Sequence, residues 1–277
     1  MSSAAPRYAV NLSLLFTEVP LLQRPAAAKE AGFDAVEFWW PFSTAVPADA
    51  DVDAFVGAVT DAGVALIGLN FFAGDMPGGD RGLVSWPART GEFTDNVDVT
   101  VGIGQRLGCK AFNALYGNRV DESTPQAQDD VAAQNLAVAA AAAARVDGVV
   151  LVEPVSGAPR YPLLTAADVI GVIDRVQAAS GADNVKFLCD LYHLDVNGDD
   201  VTAAIENYAG RVGHVQIADS PGRGEPGTGR LDIAGHLAAL ADRGYDGYVA
   251  LEYKPVGDTV EGLAWLPVAD RGSASRV

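Results

Sequence analysis

Short runs of β-branched and other apolar residues alternate along the chain with segments whose apolar positions recur at helical spacing. The runs predict strands over residues 8–16, 35–40, 65–71, 109–115, 149–155, 186–193, 212–219 and 247–254. Helical patterning covers 20–31, 51–62, 91–107, 125–146, 165–180, 200–209, 232–243 and 259–265. Gly32, Gly63, Gly108, Gly148 and Gly244 follow helices where a left-handed cap belongs, and Thr165 stands at an N-cap position. A strand–helix alternation repeated eight times, with no Pro/Gly/Ser linker at its middle, predicts a single (β/α)8 TIM barrel over residues 1–266. An open doubly wound sheet would want a Gly-rich phosphate turn after its first strand, and residues 11–20 show none. The periodicity is lost over 267–277, which predicts a disordered tail.

In such a barrel the reacting groups belong at the C-terminal ends of the strands. Those ends are polar here. Glu37 and Asn70 stand near the ends of the second and third strands, and Glu153, Asp190, Gln216 and Glu252 near the ends of the last four. Period-two alternation puts each acid on the face of an apolar row: Val149, Leu151 and Glu153; Leu188 and Asp190; Ala250 and Glu252. Neighbouring strands lie about 4.8 Å apart, so four such side chains converge on the barrel mouth. Three carboxylates gathered without a cation repel one another and take up protons. A set of oxygen donors without His or Cys suits Mg²⁺ or Mn²⁺ rather than structural zinc.

The remaining candidates carry less. His193 follows Asp190 by three and is a candidate substrate contact beyond the strand end, whereas His214 reads as a hydrogen-bonded interior residue and His236 as structural. Arg81, Arg89, Arg223 and Lys254 are the cations available to an anionic substrate. Arg223 follows the strand of Gln216 directly, and its fork geometry suits a carboxylate. Arg81 and Arg89 lie in the long segment 72–90, whose length predicts a functional loop or lid.

Composition narrows the partners. The formal charge of −17 opposes nucleic acid and anionic membrane surfaces, so a small anionic substrate must be drawn in by local cations. The polar start of the chain lacks the apolar core of a signal peptide, and no apolar stretch is long enough for a bilayer, so the sequence implies a cytoplasmic protein. Cys109 and Cys189 sit in apolar runs and read as buried free thiols. Nothing in the pattern excludes a homo-oligomer.

The stretches 11–18, Gly32-Phe-Asp-Ala-Val-Glu-Phe38, His214-Val-Gln-Ile-Ala-Asp219, Pro221-Gly-Arg-Gly-Glu-Pro-Gly-Thr-Gly229, Tyr245-Asp-Gly-Tyr-Val-Ala-Leu-Glu-Tyr-Lys254 and 257–265 resemble the hydroxypyruvate isomerase family. That family belongs to the xylose-isomerase-like barrels, a group that also includes ketose 3-epimerases and endonuclease IV. The resemblance implies that Glu153 and Glu252 are a paired acid and base, and that with Asp190 and Gln216 they hold a divalent metal. It implies conversion of hydroxypyruvate to tartronate semialdehyde through an enediolate. The family's Asn-bearing loop after the strand-five Glu-Pro is replaced here by Val155-Ser-Gly-Ala-Pro-Arg160, which puts the substrate in question. The alternatives are a 2-oxotetronate isomerase or ketose 3-epimerase on the same site and, more distantly, a metal phosphodiesterase or abasic-site nuclease. Epimerases of this group typically carry His where Gln216 stands, and a nuclease wants a His-rich cluster and a basic groove.

Overall fold

The computed structural model describes residues 6–272. The eight apolar runs become parallel strands: β1 (Arg7–Asn11), β2 (Ala35–Phe38), β3 (Ala65–Asn70), β4 (Ala111–Asn113), β5 (Val149–Val152), β6 (Val185–Asp190), β7 (Val212–Ile217) and β8 (Tyr248–Leu251). They pair in chain order, and β8 returns to β1, so the sheet closes without an edge. The α-helices are α1 (Arg24–Glu30), α2 (Asp49–Ala62), α3 (Thr90–Leu107), α4 (Pro125–Ala144), α5 (Ala166–Ser180), α6 (Leu191–Asn197), α7 (Val201–Tyr208), α8 (Ile233–Asp242), α9 (Thr259–Gly262) and α10 (Val268–Arg271). Among the described residues no helix is long and apolar enough to cross a membrane, and both cysteines are buried and free.

Local chemistry explains the helix starts. Thr165 and Asp168 form a reciprocal capping box at α5, and Asp190, Asp200 and Asp232 accept from backbone N–H groups at the starts of α6, α7 and α8. The Ala-rich α4 is a packed helix: Ala132, Ala139, Ala140 and Ala143 are all buried against the barrel. Side chains inside the barrel follow the expected parity, with Ala9, Ala35 and Ala250 buried together in its small lower layer.

Three expectations need correction. The strands stop earlier than the apolar runs do, β1 at Asn11 and β4 at Asn113, so the last residues of several runs are loop. The run over 186–193 is not one strand. It breaks at Asp190, whose side chain accepts from His193 N at 3.0 Å and turns the chain into α6. The order expected to end at 266 continues through α10. Arg271 is buried and donates to the carbonyls of Leu266, Leu263 and Ala31, so it ties the chain end to α1. The rest of the expected tail, 273–277, lies outside the described residues.

Candidate active site

Glu153 follows β5 by one residue, Asp190 ends β6, Gln216 lies in β7 and Glu252 follows β8 by one residue. Parallel register sets Gln216 beside Asp190 on one side and beside Ala250, two residues before Glu252, on the other. All four side chains are buried, at 5% exposure or less. Burying that much negative charge has a cost that shows in the acidity of the two glutamates. Burial and the neighbouring Asp190 push Glu153 up to about 8. Burial likewise raises Glu252 well above the usual carboxylate range, although Arg223 opposes the shift. This is a cluster that holds protons unless a cation replaces them.

Each member is oriented by a neighbour. Asn113 Nδ2 donates to Glu153 Oε1 at 2.6 Å. Arg223 Nη2 and Trp39 Nε1 both donate to Glu252 Oε1, at 2.7 and 3.1 Å. Gln216 Nε2 donates to Glu37 Oε1 at 2.7 Å, and Gln216 Oε1 is left buried with no partner. An unpartnered amide oxygen beside buried carboxylates fits a hard divalent cation, because it is an acceptor still owed a positive charge.

His193 lies past the end of β6. It lies in α6, buried, and Glu153, Asp190 and His193 offer ligand atoms within 4.8 Å of one another. Its ring chemistry argues against ligation. Ser156 N, which can only donate, points at Nδ1 from 3.0 Å, so Nδ1 accepts. Burial lowers the ring to about 4, so it is neutral and carries its proton on Nε2. Nε2 lies 3.7 Å from Asp190 Oδ2 and is a donor facing the site.

Arg223 sits in the loop after β7 with φ of 58°, a left-handed conformation that a side chain seldom adopts. The loop is built to hold it. Asp219 accepts from four backbone N–H groups, those of Ser220, Gly227, Gly229 and Leu231, and Lys254 N donates to Arg223 O at 2.7 Å. The guanidinium lies 5.3 Å over the Tyr192 ring and is committed to Glu252.

The segment 72–90 is not one free-standing loop. Leu83, Val84 and Ser85 are fully buried, and Asn135 of α4 donates to Val84 O at 2.8 Å. Gly82 admits no side chain, because a Cβ there would lie 1.9 Å from Leu115 O. The exposed part is a knuckle over 74–81, closed at its base by Gly82 N donating to Ala73 O at 2.9 Å. Arg81 is fastened within it to the Met76 and Asp80 carbonyls, at 3.0 and 2.6 Å. Arg89 is a strut bonded to Asp80 and Glu92. A cavity of ≈ 1190 Å³ opens over the barrel mouth, and Glu153, His193, Arg223, Glu252, Arg81 and Lys254 all line it.

Sequence reasoning passed over Asn113, Trp39 and Ser156, and it noted Glu37 only as a polar strand end. Parity was the available signal for two of them: Glu37 shares the inward face of Ala35, and Asn113 that of Ala111.

A closed eight-stranded barrel with buried, convergent carboxylates at its mouth defines a (β/α)8 enzyme. The profile of the xylose isomerase-like TIM barrels matches residues 25–268. A Streptomyces coelicolor protein provisionally named hydroxypyruvate isomerase is 52% identical, covering 99% of this chain and 100% of its own length. The hydroxypyruvate isomerase of Escherichia coli K12 is 32% identical over 94% of this chain and 98% of its own, and the 2-oxo-tetronate isomerase of Cupriavidus necator 33% over 94% and 97%. A crystal structure from Brucella melitensis, described as AP endonuclease, family 2, is 35% identical with a TM-score of 0.85, covering 94% of this chain and 97% of that one. The chain belongs to the xylose isomerase-like TIM barrels and, within them, to the hydroxypyruvate isomerase family; it is an isomerase.

Proposed function

We propose that this enzyme interconverts hydroxypyruvate and tartronate semialdehyde, with Mg²⁺ or Mn²⁺ held by Glu153, Asp190, Gln216 and Glu252. The observation that carries the metal is the buried, unpartnered Gln216 Oε1 beside carboxylates that otherwise keep protons. A bound divalent cation supplies Lewis acidity to adjacent substrate oxygens and makes the intervening C–H more acidic. The chain's own groups do the rest. One of Glu153 and Glu252 removes the proton from C3 of hydroxypyruvate, and the electron pair forms the enediolate. The other delivers a proton to C2 while the C3 hydroxyl proton passes to the C2 oxygen, which leaves an aldehyde at C3 and a hydroxyl at C2. The hydrogen bonds from Asn113, and from Arg223 and Trp39, fall on Oε1 of the two glutamates and leave Oε2 of each for this work. His193 donates through Nε2 to a substrate oxygen, and Arg223 or Arg81, through guanidinium nitrogens outside the bonds described above, holds the substrate carboxylate. The net charge of −17 supports a small substrate over nucleic acid.

The test is Glu153→Gln and Glu252→Gln. Each is expected to lower kcat by on the order of 10²–10⁴-fold while the protein stays folded. Near-normal turnover in either variant would overturn the two-glutamate assignment, and activity indifferent to EDTA would remove the metal.

A second reading, isomerisation of a four-carbon 2-oxo acid, is favoured by the cavity. Its ≈ 1190 Å³ and its walls of Trp40, Phe42 and Phe72 leave room for a longer chain than three carbons fill. Comparing kcat/KM for hydroxypyruvate and 2-oxo-tetronate decides between them.

A further inference from the structure

Behind the four candidate ligands lies a carboxylate that the proposed reaction does not use. Glu37 is 3% exposed, and three side chains converge on it. Asn11 Nδ2 lies 2.8 Å and Gln216 Nε2 2.7 Å from its Oε1, while His214 Nε2 lies 2.8 Å from its Oε2. Both amides meet the carboxylate through their NH₂ groups, the only end of an amide that can donate. Asn11 is held the same way from its other end, because its Oδ1 accepts from Ser13 N at 2.9 Å. For Gln216 the consequence is directional: its NH₂ is spent on Glu37, and its carbonyl oxygen points away, buried and unpartnered.

We infer that Glu37 is a positioning residue acting through Gln216, setting the amide so that oxygen rather than NH₂ meets the cation. The inference rests on the reading of Gln216 as a ligand. An amide is the one oxygen ligand of the four that has a wrong way round. Its terminal torsion is broad and roughly two-fold, so an unrestrained Gln216 would spend part of its time aiming N–H groups at a divalent ion. Carboxylates need no such guide. The fold makes room for the lock: the β2–β3 register shifts between Val36 and Glu37, and position 68 on β3 is glycine. A Cβ on Gly68 would lie 3.1 Å from Glu37 Oε2 and 3.2 Å from its Cβ, closer than side chains ordinarily sit.

The test is calorimetric titration of the chelator-treated enzyme with Mn²⁺, which reads cation affinity without turnover. Glu37→Leu removes the acceptor and is expected to weaken binding by about 10–100-fold, as loss of a partner behind a ligand does. Glu37→Gln separates the lock from the charge. Its carbonyl oxygen can still accept from Asn11 and Gln216, with its NH₂ donating to the other tautomer of His214, so affinity should stay within about threefold of the parent. In a Gln216→Ala background, Glu37→Leu should cost nothing further, because the group it guides is gone. Gly68→Ala, which keeps Glu37 but crowds it, should weaken binding in the parent and not in Gln216→Ala; it carries the test if Glu37→Leu does not fold. Unchanged affinity in Glu37→Leu, an equal loss in both backgrounds, or a loss in Glu37→Gln as large as in Glu37→Leu would each overturn the inference. If Gln216→Ala alone binds Mn²⁺ like the parent, the ligand assignment itself is what fails.

Discussion

At the scale of single residues, Glu153 and Glu252 are held away from their ordinary acidity by their surroundings, and this has a sign that can be measured. Burial and Asp190 raise Glu153 from 4.5 to about 8 in the folded protein. A carboxyl raised on folding stabilises the fold fully below its unfolded value, and that contribution is lost as pH rises toward and through about 8. Glu252 works in the same direction. His193, lowered by burial to about 4, works the other way up to its ordinary 6.5, so the metal-free protein is expected to lose Tm from about pH 6.5 toward 8, and Mg²⁺ or Mn²⁺ to restore it by an increment that grows with pH. Melting curves with and without EDTA check this; a pH-independent Tm in the chelated protein would contradict it. The same focus on one atom decides the role of His193. Its distance to Glu153 and Asp190 would suit a ligand, but the Ser156 N–H on Nδ1 leaves it a protonated Nε2.

At the scale of elements, the ends of strands carry the chemistry and the loops after them set its aim. The β7–α8 loop is organised around one carboxylate, Asp219, and through it Arg223 is brought onto Glu252. In Asp219→Asn the amide nitrogen must face backbone donors whichever way it turns, so at least one pair of hydrogen bonds fails. A loss of about 1–3 kcal/mol at the loop is expected, read as a fall of roughly tenfold or more in kcat/KM. Unaltered kinetics in a folded variant would show that the loop does not depend on Asp219. The expected lid at 72–90 illustrates how length alone misleads. Part of it is bolted to α4 through Val84, and the more exposed knuckle over 74–81 still packs Met76 against the core.

At the scale of the whole molecule, closure is the decisive event. β8 pairs with β1 through four register positions, from Arg7 with Tyr248 to Val10 with Leu251. Beneath that seam Arg271 stitches the end of the chain to α1, saturating three carbonyls. Arg271→Ala removes all three of these hydrogen bonds at a largely buried position and is expected to cost roughly 2–4 kcal/mol. Denaturant unfolding checks it, and a midpoint within error of the parent would show the staple to be dispensable.

The barrel and four of its mouth residues were legible because alternation, strand-end position and parity are local properties, and a regular repeat converts them directly into geometry. Glu153, Asp190, Gln216 and Glu252 are where that logic puts them. What local pattern could not supply is which atoms face one another across the closed sheet. Glu37 is 177 residues from His214 and 179 from Gln216, and its grip on both follows only from the folding of β2 against the far side of the barrel. The break of the 186–193 run into α6 likewise depends on one Asp190 side chain capping rather than extending. The sequence by itself determined the frame and the strand-end positions of Glu153, Asp190, Gln216 and Glu252. Only the tertiary structure decided the direction of the Gln216 amide, the His193 tautomer and the commitment of Arg223, because hydrogen-bond direction is set by partners that meet only after closure.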